Sequence, residues 1–378
     1  MQRMCWLLLL LAVSIPAWAD KKITVEELKD KLAALSQAQL GDGVIATQLK
    51  TVELSEQLTE KARQGLLQYL PGSSSTEQLD ILAGRSAFLA PPASEIPADP
   101  APDAAAQQAI LGKASEYVAK VFPHSPHVTV SRTTYRYQSE PQNTSSSAGL
   151  TVLAPDPTTR LMETRTDTVE SDKGVDKPES PRRKRKGDTN GLVSERVPGP
   201  VMIVALDDSS TAGKLDWLRW EMIDGKKAAG FAFAVDKKRS HFEVNYCCFP
   251  VRDTAEGAAG GHTKLPSPAD FQSVITWKPF RKTVGYHGQI FIDPDSGAIL
   301  RVITFADLKP SDNVHGEIIR IDYAPVVVDG KEYILPWDNY TINEIVPNGD
   351  NMNMAYTARR TLLRVIFRNY RAAGAGQK

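Results

Sequence analysis

The chain is poor in cysteine, carries no excess of either charge, and lacks every compact signature of catalysis. Only three cysteines occur in 378 residues. Cys5 sits at the extreme N-terminus, which leaves the adjacent pair Cys247 and Cys248. One pair is no disulfide framework for a chain of this length, so stability must come from a buried core. Lys+Arg and Asp+Glu stand at 45 each, and no overall charge points to nucleic acid or an anionic surface. The six histidines, His124, His127, His241, His262, His287 and His315, include no pair at metal-ligand spacing with a carboxylate partner, and no cofactor is implied. There is no Gly-x-Ser-x-Gly elbow, phosphate loop or dinucleotide fingerprint. After Val13 no apolar run is long enough to cross a bilayer as a helix.

What is present begins with a leader. Arg3, the apolar run over residues 7–13 and the small-x-small triplet Ala17-Trp18-Ala19 before Asp20 describe a secretory signal cleaved between Ala19 and Asp20. The mature protein is therefore expected to be periplasmic or secreted.

Residues 20–90 read as a small helical domain. Thr24 and Glu27 make a capping box, with Leu28, Leu32 and Leu35 on one stripe. A second helix is expected over residues 44–49 and a third from Ser55, with Leu58, Ala62, Leu66 and Leu70 on one face. A fourth is expected to be capped by Ser75 and Gln78 and to bury Leu79, Leu82, Ala83 and Phe88. Residues 91–102, PPASEIPADPAP, form a stiff proline-rich linker and the domain boundary. Asp103 then caps a helix whose face is Ile110, Ala114, Tyr117, Val118 and Val121.

Strands fill the rest, residues 103–371, with a short tail over 372–378. Residues 128–138 and 159–169 alternate. Residues 171–200, containing PRRKRKG, are too polar for a core and read as a disordered basic loop. Residues 215–249 read as a three-stranded meander with turns at Asp224-Gly225 and at 236–238. The clearest hairpin is residues 286–305, turning at Asp293-Pro294 with Gly297 supplying a positive φ. Ile290 and Ile292 share one face opposite Phe291; on the return strand Ile299, Ile303 and Phe305 oppose Leu300 and Val302. A further hairpin turns at Asp329-Gly330, and strands at 338–346 and 352–368 follow. Apolar groups on both faces mean that both faces are covered. The expected fold is α+β: the helical domain, then a curved antiparallel β half-barrel of roughly eleven strands with a covering helix.

Trp217, Trp220, Phe231, Phe233 and Ile290 are the candidate ligand-lining groups on the concave face. Cys247 and Cys248 read as a vicinal disulfide switch, as half of a metal site with His241, or as two small buried hydrophobes. Glu221 and Glu243 lie on strands where they could face a cavity, with Arg219 and Arg301 available to pair with them. No nucleophile–base pair is visible, which argues against an enzyme.

The phrases TVELSEQLTEKA, LPG, SAFLAPPASEIP, LDWLRWEMIDGKKAAGFAFAVDKKRSHFEVNYCCFP, GYHGQIFIDPDSGAILRVITFADLKP and VDGKEYILPWDN resemble a family of uncharacterised secreted proteins of acidobacterial type. At fold level the G-x-I-x-I-D-P-x-S-G-x-I-L-R phrase, Gly288 to Arg301, is similar to the periplasmic lipoprotein-carrier half-barrel. That likeness implies a greasy cavity closed by helices and a lipid or lipoprotein as partner. The expected function is an exported, non-enzymatic binding protein. The alternative is an envelope interaction protein with a solid barrel core that docks another protein through residues 20–90.

Overall fold

The computed structural model describes residues 22–120, 124–139, 159–172, 175–176, 191–192, 215–252, 275–345 and 359–374. The leader with Ala19 and Asp20, and the PRRKRKG run, lie outside the described residues.

Helices come first: α1 (Val25–Gln37), α2 (Asp42–Lys50), α3 (Glu60–Leu66), α4 (Ser73–Ser86) and α5 (Ala104–Lys120). The capping box of α1 forms as expected, with Glu27 and Thr24 exchanging bonds. The start of α4 does not: its N-cap is Gly72, and the carboxylate of Asp42 reaches over from α2 to accept the Ser74 and Ser75 amides, each at 2.9 Å. A non-local carboxylate thus supplies what a local capping box was expected to supply. It also neutralises the positive end of the α4 dipole. The third helix begins at Glu60 rather than Ser55, because Thr59 caps it through the Ala62 amide. Leu28, Leu32, Ile45, Leu49, Leu79 and Leu82 are buried together as the shared core of these helices.

The strands are β1 (Val128–Gln138), β2 (Arg160–Asp172), β3 (Val175–Asp176), β4 (Gly191–Leu192), β5 (Leu215–Ile223), β6 (Lys226–Val235), β7 (Glu243–Arg252), β8 (Ile275–Thr283), β9 (Gly285–Ile292), β10 (Ile299–Asp307), β11 (Val314–Val328), β12 (Lys331–Ile345) and β13 (Arg359–Ala372). Ten of them form one antiparallel sheet in the order β3-β2-β1-β13-β12-β11-β10-β9-β6-β5, while β4, β7 and β8 form a separate three-stranded sheet. Among the described residues the large sheet does not close on itself; β3 and β5 are its ends.

Four expectations change here. The stretch from β5 to β7 is no meander, because β6 pairs with β9 and β7 leaves to pair with β8. The β6–β9 register sets Phe231 opposite Ile290 and Ala229 opposite Ile292, so apolar matching across a long loop outweighs chain proximity. Residues 331–345 are one continuous strand that carries Pro336 through a register shift, rather than a hairpin arm followed by a second strand. Within 171–200 the chain is not all loop: β3 pairs with the end of β2, and β4 pairs with β7. Finally, Leu300 is an extra residue in β10, inserted between the pairs Ile299–Ile292 and Arg301–Phe291. That bulge moves Ile299 to the same face as Val302 and puts Leu300, Ile303 and Phe305 on the other.

Two helices cover the two faces. On one, Ile81, Ala87 and Phe88 at the end of α4 pack with Tyr137, Phe291, Leu300, Ile303 and Leu362. On the other, α5 packs with β6, β9, β10 and β11. Between them the proline-rich segment passes beside β5 and β6: Trp220 Nε1 donates to the Pro100 carbonyl at 2.9 Å, and Lys227 pairs with Asp99 at 3.2 Å. The segment includes a short 3₁₀ turn at Ala93–Glu95.

Candidate functional site

The face under α5 is built by pairing register. Phe231 and Ile290 are opposite one another with no exposed surface, and Phe233 is 4% exposed. Trp217 and Trp220 are three apart in β5, which would normally set them on opposite faces. A bulge at Leu218 corrects this, so that Trp217 pairs with Phe231 and Trp220 with Ala229. The indole of Trp217 then lies edge-on to both Trp220 and Phe231, with ring centres at 5.0 and 5.6 Å. All five candidate ligand-lining residues therefore belong to one cluster, together with Tyr286, Val302, Ile321 and Tyr323.

Residues of α5 fill that face. Asp103 caps the helix through the Ala106 amide at 2.8 Å, as the sequence suggests. Only Ile110 and Ala114 of its seventeen residues are buried, with Leu111 and Val118 half-buried beside them. Tyr117 is on the same helix, and burial pushes its hydroxyl up to about 12. The turn between β9 and β10 clasps the helix from below. Gly297 has φ +77°, and a Cβ there would lie 2.4 Å from the backbone carbonyl of Lys113. Lys113 Nζ in turn donates to the Pro294 carbonyl at 2.8 Å. Gly297 is thus needed twice, for the left-handed turn and for the approach of α5.

The opposite face carries a feature that sequence reading missed. Arg301 and Asp322 are cross-strand partners, Arg301 Nε donating at 2.5 Å, and Arg320 Nη2 donates to the same carboxylate at 2.6 Å. Arg301 also bonds Glu221, which accepts from Arg219 at 2.6 Å. Arg320 Nη1 donates to the carbonyl of Ala87 at the end of α4, at 2.5 Å. Phe291 lies under the guanidinium groups of Arg219 and Arg301. Gly230 leaves room for that ring, since a Cβ there would fall 2.7 Å from it. Burial alone would raise the Asp322 carboxyl, yet Arg301 and Arg320 hold it down at about 2. Its chemistry is that of a clamp between α4 and the sheet, with every carboxylate paired; Glu221 meets Arg219 and Arg301 as its sequence context suggested. Arg and Asp alternating with isoleucine in a strand covered on both faces was the available signal.

Cys247 and Cys248 occupy a bulge in β7, between the pairs Tyr246–Phe280 and Phe249–Lys278. Their side chains lie outside the described residues. Among the described residues no group of three His, Cys, Asp or Glu could hold a metal, and no helix is long and apolar enough to cross a membrane. Compared with family models, with curated proteins and with solved structures, the chain matches none of them.

A groove of about 460 Å³ runs between α1, α3 and the 3₁₀ turn. Val25, Lys29, Glu56, Leu66, Pro92 and Glu95 line it.

Proposed function

We propose that this is an exported, non-enzymatic binding protein that holds a lipid or a lipid-modified partner on the face now covered by α5, with the large sheet arched as a half-barrel around that helix. One observation carries the reading. Twelve buried side chains of the sheet share this cluster with only two buried side chains of the helix, Ile110 and Ala114. A helix that seals so much apolar surface with so little of its own is a cover that an acyl chain can replace, because the chain would recover the same burial. Trp217, Trp220, Phe231, Phe233 and Ile290 would then touch the guest.

The test is native mass spectrometry of the mature protein, purified without detergent from its own export compartment, followed by organic extraction. A bound acyl compound is the expected result. Its absence, together with failure of added lauric acid derivatives to bind, would end the reading.

A second reading has its own observation in the groove beside α1: an envelope protein whose sheet is solid and whose helices dock a partner. Removing residues 20–90 would not isolate that role, since α4 seals one face of the sheet. Exchanging the charges of Glu26 and Lys29 at the groove would. Loss of a co-purifying protein on that exchange, in a protein that binds no acyl compound, favours the second reading.

A further inference from the structure

The face under α5 is apolar over only part of its width. Moving across the sheet from β10 to β12, this face gains Thr304, Glu317, Asn339, Thr341 and Asn343 around Ile319 and Ile321; β13 then presents Leu363, Val365 and Phe367, and Thr134 follows in β1. Pairing register establishes the shared face: Thr304 is opposite Ile319, which is opposite Thr341; Ile321 is opposite Asn339; Glu317 is opposite Asn343; and Thr134 is opposite Val365, the other partner of Asn339. All six polar residues are more than nine-tenths buried. Among the described residues, four of them nevertheless keep a polar atom with no hydrogen-bond partner: Thr134 Oγ1, Thr304 Oγ1, Asn339 Oδ1 and Asn343 Nδ2. Orphan polar atoms are uncommon in folded proteins, and each costs its full desolvation when nothing satisfies it. Three of the four, on β10 and β12, flank the β11 residues Ile319 and Ile321 at the edge of the apolar cluster, while Thr134 lies farther off in β1, beyond β13; three around one strand are not an incidental defect of packing.

We infer that this polar half of the face receives the head group of an amphiphile whose acyl chain occupies the apolar half, and that the head group is uncharged and bears hydroxyl or amide groups. The inference rests on the preceding reading of the apolar half. The three orphans around β11 offer one amide acceptor, one amide donor and one hydroxyl that can do either, which is the complement of a polyol or an amide. The Glu317 carboxyl beside Asn343 disfavours a phosphate or carboxylate head group. Burial pushes that carboxyl up to about 7.

The experiment measures binding of monolauroylglycerol, dodecyl glucoside and dodecyl phosphate below their micelle concentrations, using Trp217 and Trp220 fluorescence in the full mature chain. The wild type should favour the two neutral compounds over the phosphate by about tenfold or more; which of the two binds tighter separates a glycerol from a sugar head group. Thr304→Val is nearly isosteric and removes an orphan hydroxyl, so its Tm should hold or rise while its affinity for the neutral compounds falls about tenfold. Asn343→Leu should act in the same way. Equal affinity of the wild type for all three compounds, or unchanged affinity of the variants for the neutral ones, overturns the head-group inference and leaves the acyl-chain reading intact. No binding of any of the three overturns both.

Discussion

Replacing Gly297 by alanine should lift α5 from the sheet without unfolding the protein. Two costs add at this position. A residue other than glycine at φ +77° costs about 1–2 kcal/mol. The new Cβ would also meet the Lys113 carbonyl at 2.4 Å, an overpacking that typically costs about 1–3 kcal/mol. What holds the helix is the burial of Ile110 with smaller shares from Ala114, Leu111 and Val118; a fully buried isoleucine contributes roughly 1.5–3 kcal/mol. Withdrawal of α5 relieves the clash but not the strain of the turn, and the clash and the hold are of one size, so the seated and withdrawn helix become comparable in free energy. Gly330→Ala is the control: its φ is +78°, in a hairpin turn where a Cβ would meet nothing within 4 Å. It therefore reports the strain of the turn alone. Amide exchange and limited proteolysis within α5 should rise sharply for Gly297→Ala and remain at the wild-type level for Gly330→Ala. The reasoning is refuted if both variants lose the same global stability while α5 stays protected.

Three further outcomes follow from the charges. Asp322→Asn removes the charge that the buried guanidiniums of Arg301 and Arg320 share, leaving Arg301 with Glu221 and Arg320 with the Ala87 carbonyl, and should lower unfolding stability by about 3 kcal/mol in a denaturant titration. Because the Asp322 carboxyl sits at about 2, below its ordinary value, its stabilising contribution is present above the ordinary carboxylate range and lost as pH falls through about 2. Asp42 behaves alike: the Ser75 side chain and the amides of Ser75 and Ser74 hold it down at about 2, so Asp42→Asn should lower Tm at pH 7 and lose that effect in strong acid. Glu317 has the opposite sign. Burial raises it from 4.5 to about 7, so its contribution is intact below pH 4.5 and disappears as pH climbs through 7. Glu317→Gln should therefore flatten the stability profile over that window, with a gain at pH 8 of up to about 3 kcal/mol.

What the sequence disclosed was what its local chemistry decides. Asp224-Gly225 and Asp329-Gly330 both take the positive φ pair of a tight hairpin, and Asp293 to Gly297 turn as their residue types require. The α1 capping box and the Asp103 cap are equally local. The inference that both faces are covered, drawn from apolar residues on both sides of β9 and β10, holds because α4 and α5 lie on them. Misread elements were those decided by distant partners: Asp42 capping α4, β9 displacing β7 from β6, and the α4 carbonyl of Ala87 meeting Arg320. Bulges at Leu218 and Leu300 exchange the faces of whole strand segments, and a period of two cannot reveal them. The five aromatic and aliphatic site candidates come together because they flank the same paired rows. The buried polar half of the face escaped notice because threonine and asparagine in a strand read as its wet side.

The most direct measurement is the distance between α5 and the sheet as an acyl compound binds. Spin labels at Glu116 and Lys331, both exposed, would report it by double electron–electron resonance in the mature protein. A longer or broadened distance on saturation with monolauroylglycerol is the result expected of a helix that gives way to a guest. An unchanged distance at saturation, with α5 still seated on Phe231 and Ile290, would contradict it.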